Sequence, residues 1–133
     1  MDLRPHHIGI VVADLTRSTS FYEALGFEVV SDIGPEDGTR AIRFMRLGEF
    51  ELELFWYAEP VRPEASPSPA GKGRLGFRHF AMRTQDIDRT LAALKGARLV
   101  DKDLEVSVKP MGYRLVFLTD PDGIEIEVMQ EDG

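Results

Sequence analysis

His7-Ile-Gly-Ile-Val-Val-Ala-Asp14-Leu15-Thr-Arg17-Ser18 is written a second time as His79-Phe-Ala-Met-Arg-Thr-Gln-Asp86-Ile87-Asp-Arg89-Thr90. Each copy runs His, six residues, Asp, an aliphatic residue, any residue, Arg, then Ser or Thr. A second echo follows each His. Glu51-Leu52-Glu53-Leu54 trails the first, and Glu125-Ile126-Glu127-Val128 trails the second. His7 and Glu53 are 46 positions apart; His79 and Glu127 are 48 apart. Internal repetition at this scale governs the fold and is read before any local propensity. Two His and two Glu at equivalent points of a duplicated unit predict a four-ligand metal site about a pseudo-twofold axis.

Working outward, residues 6–12 read as a strand rich in β-branched side chains. Asp14 stands where a helix N-cap belongs, and 15–25 follow with Leu15, Phe21, Tyr22 and Leu25 at helical spacing. Gly26 supplies the stop. Strands are expected at 27–33, 40–47 and 50–57, making the first unit βαβββ. The second unit repeats the plan: a strand at 76–83, then a helix at 87–95 capped by Asp86 and stopped by Gly96. Strands near 97–100, 104–108, 113–119 and 123–130 complete it, with Asp120-Pro-Asp-Gly123 as the turn before the last. Between the units, 59–74 holds Pro60, Pro63, Pro67 and Pro69 among small residues, the composition of a linker. The expected organisation is one domain over 1–133. Module 1 covers about 5–58, the linker 59–74, and module 2 about 75–131.

Strand side chains alternate faces. Ile8, Ile10 and Val12 share one face of the first strand, and His7, Gly9 and Val11 the other. Along 50–57, Phe50, Leu52, Leu54 and Trp56 oppose Glu51, Glu53 and Phe55. Along the last strand, Ile124, Ile126 and Val128 oppose Glu125, Glu127 and Met129. Phe80 and Met82 oppose His79 and Ala81. With the apolar faces under the helices, His7, Glu53, His79 and Glu127 all fall on the opposite faces. Singly, a Glu on a solvent-side strand position or a His near a strand start is ordinary. Four at matching repeat positions are not. His6 has no repeat partner and is expected to point away from His7 at the surface. Glu51 and Glu125 are expected on the solvated rim, and Asp14 and Asp86 as caps.

Composition bounds the rest. At 133 residues the chain is of single-domain size, with a hydrophobic fraction of 43% and a charged fraction of 29%, usual for a globular protein. Cysteine is absent, so metal ligands must be His or carboxylate. A net charge of -7 argues against a nucleic-acid groove. No apolar run reaches membrane-spanning length, and the N-terminus lacks a secretory plan, so a cytoplasmic protein is expected.

Three segments resemble the vicinal-oxygen-chelate superfamily of glyoxalase I, extradiol dioxygenases, methylmalonyl-CoA epimerase and bleomycin-resistance proteins. They are His7 through Asp14-Leu15 to Ser18-x-x-Phe21-Tyr22-x-x-Leu25-Gly26, the Glu53 strand, and Phe117-x-x-Asp120-Pro-Asp-Gly-x-x-Ile126-Glu127. The resemblance implies an α+β fold in which two βαβββ modules form a cupped mixed sheet, helices outside, around a divalent metal. The positions matching the family's ligands are His7, Glu53, His79 and Glu127, the set reached from the repeat. A full His-Glu-His-Glu set is similar to glyoxalase I, whereas the epimerases typically have Gln at the Glu53 position. Glu127 is the base by resemblance, with Glu53 the symmetric alternative. The family also implies a homodimer, with His7 and Glu53 of one chain facing His79 and Glu127 of the other; closure within one chain is the alternative.

Two imidazoles and two carboxylates suit Ni, Zn, Co, Mn or Fe(II). An octahedral ion so held keeps two adjacent positions for a small substrate with two vicinal oxygens. It can then stabilise an enediolate while a neighbouring carboxylate moves the proton. The expected activity is therefore a glyoxalase-like lyase or isomerase. An Fe(II) extradiol-type dioxygenase is the first alternative, and the extra Glu53 counts against it. A non-catalytic small-molecule-binding or resistance protein is the second, and the full ligand set counts against that. Bacterial glyoxalase I usually carries Arg and Asn for glutathione where this chain has Val11 and Tyr57. A more apolar substrate, walled by Phe55, Tyr57 and Met129, is expected.

Overall fold

The computed structural model describes residues 1–34, 37–62, 73 and 75–131. The chain divides into two compact units, Met1–Ala65 and Ser66–Gly133. Most of the Pro-rich 59–74 stretch lies outside the described residues. Among the described residues, no helix is long and apolar enough to cross a membrane.

The first unit is β1 (His7–Val11), α1 (Leu15–Ala24), β2 (Glu28–Ile33), β3 (Arg40–Leu47) and β4 (Phe50–Tyr57). Its sheet has the order β1-β4-β3-β2; β1 runs parallel to β4 and the other pairs are antiparallel. The second unit repeats this with β5 (Phe80–Arg83), α2 (Ile87–Gly96), β6 (Ser107–Lys109), β7 (Tyr113–Thr119) and β8 (Glu125–Glu131). Its sheet order is β5-β8-β7-β6, again with one parallel pair, β5 with β8. Each unit is thus a βαβββ module with a mixed four-stranded sheet.

Both helices begin as the repeat requires. The Asp14 carboxylate accepts from the Arg17 backbone N–H at 2.9 Å, and Asp86 accepts from Arg89 at 2.9 Å. Both also end alike. The Phe27 N–H donates to the Tyr22 carbonyl and the Leu99 N–H to the Leu94 carbonyl, each at 3.0 Å. That bond is the long closure of a Schellman ending, which needs a left-handed residue just before it. Gly26 fills the place in the first unit with φ 103°, and Arg98 in the second with φ 60°. Gly96, expected as the stop, is instead the last residue of α2. A side chain in that conformation costs about 1 kcal/mol or more relative to glycine.

This ending also explains a missing strand. The N–H groups of Ala97, Arg98 and Leu99 donate to helix carbonyls, so 97–100 has none to offer a ladder there. The second expected strand shortens to β6, since the Leu104 N–H closes a turn on the Asp101 carbonyl at 3.1 Å. The expected 76–83 strand shortens to β5, which begins at Phe80.

Each helix packs on one face of its own sheet. In the first unit that face buries Ile10, Val12, Met45, Leu52 and Leu54 with Tyr22 and Phe27. In the second it buries Phe80, Val116, Leu118, Ile126 and Val128 with Ile87 and Leu94. Each fully buried side chain of this kind stabilises by about 1.5–3 kcal/mol. A one-residue slip would carry that set to the open face, which fixes the register. Glu53 and Glu127 thereby face away from the helices.

Candidate functional site

On the open face of the first sheet, His7 Nε2 lies 2.9 Å from Glu53 Oε2. On that of the second, His79 Nε2 lies 2.8 Å from Glu127 Oε2. The parallel pairing sets Gly9 beside Glu53 and Ala81 beside Glu127, so each His reaches its Glu from two residues upstream of that partner. Each unit therefore brings together one of the two candidate histidines and one of the two candidate glutamates. Among the described residues, no third His, Asp or Glu side chain joins either pair into a metal-binding group within its unit.

The repeat extends to a residue type not anticipated. The Phe44 ring stands edge-on to His7 with centroids 5.9 Å apart, and Phe117 stands edge-on to His79 at 5.2 Å. Phe44 is in register with Glu53, and Phe117 with Glu127. Each His is thus held between a carboxylate and an aromatic ring, a triad written twice. The signal was available: once β3 and β7 are paired with their neighbours, both phenylalanines fall opposite the glutamates.

The two imidazoles differ behind the pair. His7 Nδ1 lies 2.8 Å from His6 Nδ1, correcting the expectation that His6 points away. His6 precedes β1, so strand alternation does not govern it. One of the two nitrogens carries the proton. If His7 Nε2 presents a lone pair, His7 Nδ1–H donates to His6. His79 Nδ1, in contrast, is buried without a hydrogen-bond partner among the described residues.

Glu51 is not a free rim carboxylate. Arg46 donates to its Oε1 from Nε at 2.9 Å and from Nη2 at 2.6 Å. Those hydrogen bonds hold the Glu51 carboxyl below the usual carboxylate range. Arg46 thereby occupies Glu51 and leaves Glu53 as the carboxylate that meets His7. Asp120 accepts from the Asp122 and Ile124 N–H groups at 2.9 Å each, fixing the turn that delivers β8.

The donor set fits a divalent ion. Two ligand atoms each about 2.1 Å from one ion at a right angle are about 3.0 Å apart. The two His–Glu separations lie close to that, and the same separations suit a hydrogen bond. Imidazole nitrogen with carboxylate oxygen is the pairing that borderline first-row ions take. Two clefts among the described residues lie beside the pairs rather than on them. One of about 340 Å³ in the second unit reaches Phe117 and Glu125, and one of about 500 Å³ in the first follows the β2–β3 edge near Val29 and Arg46. Neither includes a His–Glu pair. The pairs carry the stronger chemical signal because ionisable groups recur there at both repeat positions.

Comparison with known proteins agrees with this architecture. The model of the "Glyoxalase/Bleomycin resistance protein/Dioxygenase superfamily" matches residues 4–128. YwbC of Bacillus subtilis is 32% identical, covering 98% of this chain and 99% of its own. Human mitochondrial methylmalonyl-CoA epimerase is 28% identical over 96% of this chain and 73% of its own. A glyoxalase family protein from Enterococcus faecalis superposes with a TM-score of 0.77 at 28% identity, over 95% of this chain and 96% of that one.

Proposed function

The chain belongs to the glyoxalase/bleomycin resistance protein/dioxygenase superfamily, and from that membership we propose that it is a metal-dependent lyase or isomerase of glyoxalase type. Its substrate is a small molecule with two vicinal oxygens. The observation that carries this reading is the duplicated pair, His7 with Glu53 at 2.9 Å and His79 with Glu127 at 2.8 Å.

His7, Glu53, His79 and Glu127 would hold the ion, drawn from Ni, Zn, Co, Mn and Fe(II). When bound, the cation offsets the charge that develops on the substrate's vicinal oxygens as a carbon-bound proton leaves. Glu127 takes that proton and returns it to the neighbouring carbon; Glu53 is the symmetric choice of base. Phe44 and Phe117 keep the imidazoles from turning. Since each unit supplies two ligands, the full set closes either between two copies of the chain or within one. We favour the homodimer.

One specific observation supports a second reading, epimerisation of an acyl thioester: the 28% identity to methylmalonyl-CoA epimerase. The same proton transfer serves both reactions. Turnover of hemithioacetals of several 2-oxoaldehydes with several thiols, set beside solvent-deuterium incorporation into methylmalonyl-CoA, separates them. We expect hemithioacetal turnover, with the methylglyoxal–glutathione adduct a poor substrate because Val11 and Tyr57 offer it no charged partners. A kcat/KM of about 10⁶ M⁻¹s⁻¹ or more for that adduct would contradict the substrate expectation. Deuterium exchange into methylmalonyl-CoA alone would move the assignment to the epimerase reading.

His6 has its own consequence. An outer partner that fixes a ligand imidazole typically contributes about tenfold or more to metal affinity. His6→Phe is therefore expected to weaken Co(II) binding by about tenfold, read from the cobalt absorption on titration. His6→Asn, which retains an acceptor, is expected to recover most of it. Equal affinity in all three proteins would show that His6 does not orient His7.

A further inference from the structure

Along the open face of the first unit, polarity changes from one end to the other. Rows across β1, β4 and β3 run His7, Glu51, Arg46; then Gly9, Glu53, Phe44; then Val11, Phe55, Ile42. Tyr57 follows Phe55 on β4, paired with Arg40. The charged rows hold the candidate ligands and the Arg46–Glu51 pair. The next row, Val11–Phe55–Ile42, is apolar and aromatic, and beyond it Tyr57 stands beside Arg40. Phe55 and Tyr57 lie parallel, with an interplanar angle of 7° and centroids 6.3 Å apart, a stacked aromatic pair that walls this end of the face.

That wall adjoins the ligand pair. A Cβ placed on Gly9 would meet Phe55 Cε2 at 3.3 Å and Glu53 Oε2 at 3.8 Å. Ring edge and carboxylate therefore lie over the same stretch of bare backbone, and a side chain at position 9 would press on the ring and touch the carboxylate. The wall is also open: Val11 is 52% exposed and Tyr57 36% exposed. Strand alternation puts Val11, Phe55 and Tyr57 on the same face as Glu53. Leu52 and Leu54, one residue away on the same strand, are fully buried.

We propose that Val11, Phe55 and Tyr57 form the recognition surface for the distal arm of the substrate, and that this arm is a planar, aromatic group. The inference rests on the metal-dependent reading above. Successive same-face residues on a strand are about 6.8 Å apart. An arm leaving the vicinal oxygens at the Glu53 row therefore meets Phe55 after a spacer of two or three bonds. An aromatic ring there covers apolar surface of that row and packs offset or edge-on against Phe55. An anionic or cationic arm of that length would find no partner in the Val11–Phe55–Ile42 row; Arg40 stands one row further on, beside Tyr57.

The test uses the Co(II)-loaded protein and hydroxamates, whose two adjacent oxygens chelate a divalent ion. Acetohydroxamate has no arm. 3-Phenylpropanohydroxamate carries a ring on a short spacer, and succinohydroxamate carries an anion at similar reach. Affinities come from displacement of the cobalt spectrum and from calorimetry. The aryl compound is expected to bind about tenfold tighter than acetohydroxamate, and succinohydroxamate no tighter. That ratio should fall towards one in Tyr57→Ala and in Val11→Lys, and persist in Tyr57→Phe, which keeps the ring. Both sites are part-exposed strand positions outside the buried core, so the variants spare it.

Equal affinities for the aryl and methyl compounds, with cobalt bound normally, would overturn the inference and leave the metal reading standing. An aryl preference that survives both Tyr57→Ala and Val11→Lys would also overturn it, because the arm would then lie elsewhere. Failure of the wild-type protein to bind cobalt or any hydroxamate would overturn the metal reading, and this inference with it.

Discussion

Replacing Glu127 with Gln is expected to remove nearly all turnover, by about a thousandfold or more. The substitution is close to isosteric, so β8 and its pairing with β5 and β7 should persist. What it removes is a charge with two uses. One is the base that carries the proton between carbons, worth about 10²–10⁴-fold by itself. The other is a ligand charge that favours a dication. Metal affinity should therefore fall together with rate, while the thermal unfolding midpoint without metal stays close to that of the parent protein. Glu53→Gln separates the two roles. It removes a ligand charge but leaves Glu127, so metal should bind more weakly while proton exchange survives when the metal is supplied in excess. The reverse ranking would make Glu53 the base. Unchanged turnover and metal content in Glu127→Gln would remove Glu127 from the site.

The second large effect is a rescue. His7→Ala and Glu127→Ala are each expected to be inactive alone. Unfolded together and refolded as a mixture, they should regain activity if the site closes between chains. A mixed homodimer then holds one site with all four ligands intact and one doubly damaged. Random assortment would give mixed dimers half of the time, so the expected recovery is about a quarter of the wild-type activity per chain, given closed twofold symmetry. Closure within one chain predicts no recovery at any mixing ratio.

The pairs were readable from sequence because two independent periodicities converge on them. The repeat offset relates His7 to His79 and Glu53 to Glu127. Strand alternation places Leu52 and Leu54 opposite Glu53, and Ile126 and Val128 opposite Glu127. Once those apolar residues bury, the glutamates face the other way. Alternation fails where the backbone leaves the ladder, and this accounts for His6. It stands just before β1, and its ring turns back onto His7.

Other features lay in pairings that a linear reading does not supply. Phe44, Phe117 and Arg46 become relevant only when β3 and β7 are laid against β4 and β8. Arg46 pairs with Glu51 and so changes its role from rim carboxylate to salt-bridge partner. Gly9 looks like a weak point in a strand until the ring of Phe55 is seen to lie across it. Arg98 was missed for another reason. Its place in the repeat is that of Gly26, and the left-handed conformation is imposed by the helix ending in spite of the residue type. The strand expected at 97–100 is absent and the one expected at 104–108 shortens to Ser107–Lys109, since cap and turn hydrogen bonds claim the N–H groups of 97–99 and of Leu104 first.

Whether His7, Glu53, His79 and Glu127 make one metal site is measured by equilibrium dialysis against Co(II) followed by elemental analysis. One ion per chain is expected in the parent protein, with its loss or marked weakening in each of His7→Ala, Glu53→Ala, His79→Ala and Glu127→Ala, the fold being retained. One ion per chain held with parental affinity in any two variants from different units, or no ion held by the parent, would contradict that expectation.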